Sequence, residues 1–526
     1  MDDEGVDEEK LGPTRRTVLK RVGLGVLGAG AIAAVGVPVA RNLTAKDPAI
    51  SVVPRAAPLR IDQVTVIDPR DGSKSPGMSV IVRDGRITTV AATKDTPAGP
   101  DTWAIDGAGR FAVPGYNNMH THVLQEERAS LFMATMLAEG TTGMRQMAGT
   151  DDLLRFRAEN RLPLGVHTPG LLAMPGELLM PWNAGSVQEV REEITRQKDL
   201  GADFIKLISV DREVFFEAVS WAHGQGMKIA GHLPPSVSPT EAVEAGYDSI
   251  EHFGAGSCIW IETSSDEKTL RGQQDLSGPV PGWFANLPFA GWLFSTDLVA
   301  GMAGKTLINP ALSNSPQAVD LMRRALGSFD DTAAQEMLRR FAAGSTWQTP
   351  TLVRLRTQYV VDDPEYDNHP SLRMLSAKAV RDFQDARAEF MALPADTRAV
   401  YHQAYDMSLR MVKRIHDAGV PVMTGTDGPG KNPADLHTEF RELAAAGLRP
   451  LDVLRTVTTE PAAYLGRSDR MGAIAPGMDA DFLLLDSDPL EDVRNLASVA
   501  AVVRAGHFLP RQEIDSLVEE LLAAAR

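Results

Sequence analysis

The chain has 526 residues, a formal charge of −16 and an apolar content of 43%. This length exceeds one ordinary domain, although single α/β barrels often reach it, and the apolar content is sufficient for a large core. The negative charge argues against nucleic acid or an anionic membrane surface as a partner. Cys258 is the only cysteine, so no disulfide can form within the chain.

The N-terminal segment has the pattern of an export signal. Thr14-Arg-Arg-Thr-Val-Leu-Lys20 is followed by a weakly hydrophobic, Gly/Ala-rich stretch from Val22 to Ala40. Paired arginines before small apolar residues resemble the twin-arginine signal, which predicts passage through the twin-arginine translocase. We therefore expect a periplasmic or other extracytoplasmic location and place residues 1–40 outside the fold. The alternative is a basic patch before an uncleaved membrane anchor.

Both flanks of the remaining chain have the pattern of β-strands. Apolar runs such as Leu59–Ile67 are separated by turn residues such as Asp84-Gly85, and similar runs return in residues 480–486. This pattern predicts a small β-sandwich domain built from both ends of the chain. Residues 55–113 would form its first part and residues 468–510 its second.

Between the flanks, eight apolar strand candidates alternate with helical segments, which is the pattern of a parallel (β/α)8 TIM barrel. We assign this barrel to residues 114–467, and residues 511–526 to a C-terminal helix. The strand candidates are residues 111–113 running on to the histidine pair, 143–147, 164–167, 204–208, 228–232, 249–253, 348–352 and 422–425.

One connection within the barrel is much longer than the others. Residues 255–346 separate the sixth and seventh strand candidates and contain Trp260, Trp283 and Trp292. An insertion on the catalytic side of a barrel is often a lid or a wall of the substrate site. A surface excursion with its own small core explains the pattern equally well, so both interpretations stay open.

Six residues suited to a metal site lie at or near the ends of predicted strands: His120, His122, Lys206, His232, His252 and Asp427. His120 and His122 share one face of a strand because side chains alternate with a period of two. Barrel enzymes gather their catalytic groups at the C-terminal ends of the strands. Imidazole and carboxylate ligands suit zinc, with iron, manganese or cobalt as substitutes. Each residue alone has a structural explanation, but their order and complementary types favour one metal site.

Lys206 is the unusual member of this set, because an ammonium group cannot ligate a cation. A lysine with a lowered pKa can react with carbon dioxide to give a carbamate, whose two oxygens can bridge two metals. We therefore predict two divalent ions, Zn²⁺ by preference, with Lys206 carboxylated on its side-chain nitrogen. Two ions about 3.5–4 Å apart share a hydroxide that attacks the substrate, and Asp427 would act as general base and then general acid.

The ordered motifs resemble the amidohydrolase superfamily, in particular its imidazolonepropionase-like and prolidase-like branch. The resemblance covers roughly residues 59–510 apart from the insertion. It implies that His120, His122 and Asp427 hold one metal, that His232 and His252 hold the other, and that carbamylated Lys206 bridges them. The motifs are Val113-Pro-Gly-Tyr-Asn-Asn-Met-His-Thr-His122, Gly201-Ala-Asp-Phe-Ile-Lys206, Ala230-Gly-His232, Ser249-Ile-Glu-His252, Gly425-Thr-Asp427, Leu436-His-Thr-Glu-Phe440 and the stretch from Gly472 to Leu485.

The chain departs from the dipeptidases of this branch, which tend to have a tyrosine in a longer loop after the strand-four lysine. No tyrosine follows Lys206 within the next ten residues. This difference, together with the aromatic insertion, weakens the transfer of peptidase specificity to this chain.

Three further residues are candidates for contacts with the substrate or with the ligands. His167 ends the predicted third strand, His437 lies on the helix after Asp427, and Arg145 lies on the predicted second strand. For His167 and Arg145 the alternative is a purely structural role. His437 could instead support a ligand from behind.

The expected function is hydrolysis of an amide, peptide or related C–N bond in a small-molecule substrate. A lactonase or phosphotriesterase is the nearest alternative, because the same hydroxide attacks esters and phosphorus centres. A mononuclear deaminase would leave Lys206 idle, and no glutamate follows His232 within a turn. A non-catalytic metal-binding barrel is the alternative from another class. The substrate, the native metal and the formation of a homo-oligomer stay open at this point.

Overall fold

The structure, a computed structural model, describes residues 58–97, 99, 102–254, 258–274, 304–428 and 435–525. Within these ranges, strands dominate both flanks, and helices alternate with strands between them. The described strands are β1 (Leu59–Ile67), β2 (Lys74–Arg83), β3 (Arg86–Ala92), β4 (Trp103–Asp106), β5 (Phe111–Pro114), β6 (Tyr116–Thr121), β7 (Thr141–Gln146), β8 (Gly170–Ala173), β9 (Phe204–Leu207), β10 (Lys228–Gly231), β11 (Ser249–Glu251), β12 (Trp347–Thr349), β13 (Phe482–Leu485), β14 (Val499–Arg504) and β15 (His507–Pro510). The described α-helices are α1 (Ala129–Ala138), α2 (Asp151–Ala158), α3 (Val187–Asp199), α4 (Arg212–Gly224), α5 (Pro239–Glu244), α6 (Cys258–Glu262), α7 (Glu267–Gln273), α8 (Pro316–Gly327), α9 (Asp331–Ala343), α10 (Leu352–Tyr359), α11 (Ala377–Met391), α12 (Ala395–Asp417), α13 (Leu436–Ala445), α14 (Pro450–Val457), α15 (Thr459–Tyr464) and α16 (Arg511–Ala524).

Two parallel sheets carry the strands that precede the candidate ligands. β6, β7 and β8 form one sheet in that order, and β9 to β12 form the other. In the second sheet, Ala230 pairs with Lys206 on one side and with Ser249 on the other. The carboxyl ends of these strands therefore meet at one edge. Helices cross back between the strands, as a parallel connection requires.

Single backbone bridges connect the two parallel sheets. One pair of bridges joins the chain after β8 to β9, and the segment at residues 422–428 bridges both β12 and β6. The described residues thus form a mixed α/β fold in which all the site strands lie side by side, without a continuous ladder around the full circuit. The bridging pairs are Pro175–Phe204, Leu179–Leu207, Gln348–Val422 and Thr121–Gly428.

Two strand positions differ from those predicted from the sequence. The third parallel strand, β8, covers Gly170–Ala173, whereas residues 164–167 form bends and turns. Leu164 is apolar because it packs against the cluster around α1, not because it belongs to a strand. The predicted first strand also divides, since β5 joins the flank sheet, whereas β6 carries His120 and leads directly to His122.

Strands from both flanks form one eight-stranded sheet. β5 links the two flanks, because it pairs in parallel with β1 and antiparallel with β13. The β2–β3 hairpin turns at Asp84 and Gly85, whose φ angles of 51° and 71° suit the Asp-Gly sequence of a two-residue turn. Ile61, Val80 and Val503 are fully buried within its apolar core. The packing of this sheet as a sandwich stays a prediction.

The insertion between β11 and β12 is helical where the structure describes it. It contains α6 to α9, and Ser264 forms a bridge with Phe329. Trp260 is buried, while Trp283 and Trp292 lie outside the described residues, so the choice between a lid and a surface excursion stays open.

The C-terminal helix α16 packs against α1. Its residues Val518, Leu521 and Leu522 are buried in the same apolar cluster as residues of α1. The predicted signal segment, residues 1–40, lies outside the described part of the chain. A search of the described residues found no helix with both the length and the apolar character needed to span a membrane.

Candidate metal centre

The histidine pair and the aspartate of the sequence prediction meet at one point. His120 lies on β6 and His122 directly follows that strand, with their rings 5.4 Å apart. Asp427 Oδ1 lies 3.2 Å from His120 Nε2 and 3.0 Å from His122 Nε2. The alternation of side chains along β6 therefore aims both imidazoles at the same carboxylate.

Gly425 permits this close approach of the two chain segments. A Cβ atom at Gly425 would lie 2.6 Å from the Cβ of His120 and 2.8 Å from Cγ2 of Thr349. The backbone N–H of Asp427 donates to the carbonyl of His120 at 2.9 Å. The Gly-Thr-Asp sequence thus places a carboxylate beside β6 because its glycine has no side chain.

His232 and His252 lie beside the first group. They follow β10 and β11, and their rings are 5.4 Å apart, while the His252 and His120 rings are 4.5 Å apart. Ligand atoms of His120, His252 and Asp427 all lie within 4.8 Å of one another, a spacing that suits one metal ion. Both ring nitrogens of His232 are buried without a hydrogen-bond partner.

Lys206 completes the set from β9. Its side chain is buried, and its Nζ has no hydrogen-bond partner. Burial lowers the pKa of Lys206 to about 8, against the opposing effect of the Glu251 and Asp427 charges. The amine is therefore far more often neutral than that of an exposed lysine, and a neutral amine is the form that reacts with carbon dioxide.

The protonation states of the clustered side chains suit the binding of a metal ion. Burial lowers the pKa of His122 and holds the pKa values of His232 and His252 well below the ordinary range, so these imidazoles are neutral. Burial alone would raise the pKa of Asp427, but its contacts with the surrounding histidines outweigh this effect and hold that pKa well below its ordinary value. Neutral imidazoles and an ionised carboxylate are the forms that bind divalent metals.

The unpartnered atoms supply a test of whether these residues fit a metal. Buried polar atoms in proteins are ordinarily hydrogen-bonded. Exceptions occur in several parts of the described molecule, and one group of them lies in this cluster, whose imidazole and carboxylate atoms fit divalent metal ions. The group comprises His122 Nδ1, Lys206 Nζ, both ring nitrogens of His232, His252 Nε2 and both carboxylate oxygens of Asp427.

A buried carboxylate orients His120 from behind. Glu251 Oε2 lies 2.6 Å from His120 Nδ1, and Arg145 Nη2 donates to Glu251 Oε1 at 2.8 Å. The Ser249 hydroxyl donates to the same Oε1 at 2.7 Å. Burial alone would raise the pKa of Glu251, but Arg145 and His120 hold it well below the ordinary value. An ionised Glu251 accepts from Nδ1–H and leaves Nε2 of His120 free for a metal.

His252 is held in a corresponding way by the segment after β12. Its Nδ1 hydrogen-bonds with the Thr351 hydroxyl. The next residues are fixed by Glu439, whose Oε2 accepts from the backbone N–H of Val353 at 2.6 Å. Burial raises the pKa of Glu439 to about 8.

Several residues around the centre adopt left-handed backbone conformations that are rare for residues with a side chain. The φ angles are 55° at His252, 56° at Phe253, 48° at Thr351 and 55° at Asp427. Such conformations cost about 1–3 kcal/mol each and cluster at functional sites. Two of the four, His252 and Asp427, are predicted ligands, so these conformations coincide with the candidate site.

Sequence reasoning gave no role to some residues of the centre. Glu251 was quoted within a motif, and its position directly before His252 on a strand was the available signal. Arg354 was missed, although it follows the seventh strand candidate by two positions. The Nε atom of Arg354 lies 3.1 Å from Asp427 Oδ2. Thr351 and Glu439 could not be found from sequence, because their partners are distant in the chain.

The three weaker candidates lie in different places. Arg145 is fully buried and contacts Glu251, so it lies behind the centre. His437 Nε2 lies 2.9 Å from the carbonyl oxygen of Glu139, away from the ligands. His167 lies in a turn before β8, and its Nε2 is 3.3 Å from Oε1 of Glu513 on α16.

Comparisons with known proteins find amidohydrolases among the similar sequences and folds. The model of the amidohydrolase family matches residues 406–509. The imidazolonepropionase of Ralstonia nicotianae is 24% identical over 450 residues, which cover 83% of this chain and 92% of that protein. The adenine deaminase of Rubrobacter xylanophilus is 38% identical over 88 residues, but these span only 16% of this chain and 14% of that protein.

Solved structures share the fold. A bottromycin amidohydrolase superposes with a TM-score of 0.63 at 22% identity, with 96% of each chain covered. A putative prolidase from Bifidobacterium longum superposes with a TM-score of 0.56 at 20% identity, over 89% of this chain and 100% of that one. The chain is thus similar in sequence to amidohydrolases over residues 406–509 and to an imidazolonepropionase over most of its length.

Proposed function

We propose that this protein is a metal-dependent hydrolase that cleaves an amide or related C–N bond of a small molecule. The observation that carries this proposal is the buried cluster of ligand-type side chains whose polar atoms lack partners. Relatives named imidazolonepropionase and a structural neighbour named prolidase support it.

Two metal ions per chain, preferably zinc, are part of this proposal. His120, His122 and Asp427 would hold one ion, and His232 and His252 the other. Carboxylated Lys206 would bridge them, and the lowered pKa of Lys206 supports this assignment. Bound ions would activate water and polarise the scissile bond.

The residues of the chain then have distinct tasks. Asp427 accepts the proton of the attacking water and delivers it to the leaving nitrogen, so that water adds across the C–N bond. Its low pKa keeps the carboxylate ionised and ready to accept. Glu251 and Thr351 hold His120 and His252 in the tautomers that present Nε2 to the cluster.

We further propose that the parallel strands form a (β/α)8 barrel, with the segment at residues 422–428 in the eighth position. The bridges from this segment to β12 and β6, and those from the chain after β8 to β9, support this arrangement. All predicted ligands then lie at the C-terminal face, where barrel enzymes have their active sites.

The test is a substrate screen with the metal-loaded protein. N-acyl amino acids, dipeptides, lactones and phosphotriesters are offered, and hydrolysis of at least one C–N substrate is expected. Metal-free protein and Asp427→Asn serve as negative controls, and Asp452→Asn, a buried aspartate outside the centre, serves as a matched control. Turnover of lactones or phosphotriesters alone would overturn the C–N assignment.

The export of the protein is a separate proposal that rests on Arg15 and Arg16. Replacing both by lysine should retain the protein in the cytoplasm, because the twin-arginine translocase reads the arginine pair. Arg41→Lys with Arg55→Lys is the matched control and should leave export unchanged. Equal distribution of the two double variants in fractionated cells would contradict the proposal.

A further inference from the structure

A buried arginine lies within the metal centre and has no task in the chemistry described so far. Arg354 is on α10, its side chain is almost completely buried, and its Nε lies 3.1 Å from Asp427 Oδ2. This Nε has no hydrogen-bond partner. Among the described residues, Asp427 is the one carboxylate in ion-pair range of Arg354.

The influence of Arg354 on its neighbours shows where its charge lies. Alongside the larger effect of burial, its charge contributes to the lowered pKa values of Lys206, His232 and His252. These three residues come from three different strand ends. Together with the 3.1 Å contact to Asp427, this shows that the guanidinium lies close to the candidate ligands.

The N–H donors and the charge of a guanidinium in this position have few available partners. It remains charged, offers five N–H donors and cannot ligate a metal. Burying a charge is costly unless it is paired and hydrogen-bonded. Asp427 is an incomplete partner, since its oxygens also face His120, His122 and His252 and form part of the ligand group.

We propose that Arg354 is a catalytic residue that donates hydrogen bonds to the substrate oxygen on which negative charge develops when the carbonyl is attacked. This inference rests on the proposed hydrolase function and names the group that stabilises its oxyanion. Fixed donors at a developing oxyanion are among the largest contributions to enzyme catalysis. An arginine supplies both the charge and the donors.

The location of Arg354 favours a hydrogen bond to the oxygen at the reaction centre over a contact with a charged group elsewhere on the substrate. A general base must lie within hydrogen-bond reach of the proton that it takes. Because Arg354 Nε is 3.1 Å from an oxygen of that base, a carbonyl group attacked beside Asp427 would lie near the guanidinium.

The test compares Arg354→Gln and Arg354→Lys with Arg339→Gln, whose arginine is on α9 with a 73% exposed side chain. For a C–N substrate that the parent protein hydrolyses, Arg354→Gln should lower kcat by about 10²–10³-fold, the typical effect of removing one oxyanion donor. Arg354→Lys keeps the charge and should recover part of the rate. Arg339→Gln should match the parent.

A second measurement separates this role from a structural one. Zinc affinity, measured by chelator competition, should be equal or tighter in Arg354→Gln, because a cation beside the metal centre has been removed. A methylphosphonyl analogue of the substrate has anionic oxygens on a tetrahedral centre. It should bind Arg354→Gln more weakly than it binds the parent protein, and the fold-loss of its affinity should exceed the fold-increase of the substrate KM. Weaker zinc binding with a proportional loss of activity in both Arg354 variants would overturn the proposal and make Arg354 a support for Asp427.

A pair of related substrates distinguishes stabilisation of the oxyanion from recognition of a substrate carboxylate. Each N-acyl amino acid is assayed beside its neutral carboxamide. An equal kcat loss on both members supports the oxyanion role, whereas a KM increase confined to the carboxylate-bearing member overturns it in favour of carboxylate recognition. If the parent protein hydrolyses no C–N substrate at all, the proposed function itself fails. If the parent protein hydrolyses a C–N substrate and Arg354→Gln has the same kcat, the inference about Arg354 is overturned while the proposed function stands.

Discussion

The flank sheet and the ligand-bearing edge of the parallel sheets are built on opposite principles. In the flank sheet, Ile61, Val80 and Val503 are fully buried among other apolar side chains, and regular ladders pair the strands. At the ligand-bearing edge, buried imidazole and carboxylate atoms lack partners, and Asp427 and His252 have left-handed backbones. Apolar burial stabilises the flank sheet. At the ligand-bearing edge, the unpartnered polar atoms and the left-handed backbones are unfavourable for folding, and a bound metal would offset this cost. We therefore expect substitutions at the ligand-bearing edge to change activity and metal binding, and substitutions in the flank sheet to change stability.

The largest effect is expected from Lys206→Ala. Loss of the proposed bridge should abolish activity and lower the metal content from two ions per chain, because the carbamate oxygens are then missing. Metal analysis by plasma mass spectrometry and assays with added short carboxylic acids, which could restore a trace of activity, check this result. Lys228→Ala, at the exposed start of β10, is the control. In the parent, one ion per chain and no carbamate signal after ¹³C-bicarbonate labelling would contradict the binuclear proposal.

Asp427→Asn should show a smaller but still large effect. The amide cannot accept the proton of the attacking water, so kcat should fall by about 10²–10⁴-fold while much of the metal is retained. Steady-state kinetics with parallel metal analysis make the measurement. His232→Asn provides the contrast, since it should lose metal from one site and respond to added zinc. A metal-replete Asp427→Asn enzyme with near-normal kcat would require another base.

Glu251→Gln tests the carboxylate behind His120. The neutral amide is a weaker acceptor for Nδ1–H and leaves Arg145 without its charged partner, so zinc affinity should fall by about 10–100-fold, the usual effect of losing such an outer partner. Chelator competition measures the affinity. Glu262→Gln, at a half-buried carboxylate that accepts from Thr240, should not change it. Equal zinc affinities in the two variants would show that Glu251 does not orient the ligand.

The smallest functional effect is expected in the flank sheet. Ile61→Val removes one fully buried methylene and should lower the free energy of unfolding by about 0.5–1.5 kcal/mol. Zinc affinity and kcat should match the parent, because the flank sheet contributes no ligand. Denaturant unfolding and the same zinc titration provide the check. A change in metal affinity would show that the two regions are energetically coupled.

Local patterns made part of this molecule predictable. The two-residue spacing of His120 and His122 predicts a shared strand face, and the rings do lie together. The Asp84-Gly85 turn was predictable because few residues adopt positive φ without strain. The third strand was misplaced because an apolar residue such as Leu164 has the same pattern whether it packs against helix α1 or lies in a sheet.

The sequence by itself determined the types of ligand, their order along the chain and their placement at the ends of apolar runs. These properties are local, because alternation and turn chemistry depend on neighbouring residues. Only the tertiary structure decided that Glu251 faces His120, that Thr351 contacts His252 and that Arg354 lies beside Asp427. The residues in these contacts are 131, 99 and 73 positions apart in the chain, respectively. Which distant residues meet at such an edge depends on the register of the parallel strands, and no single segment of the sequence contains that information.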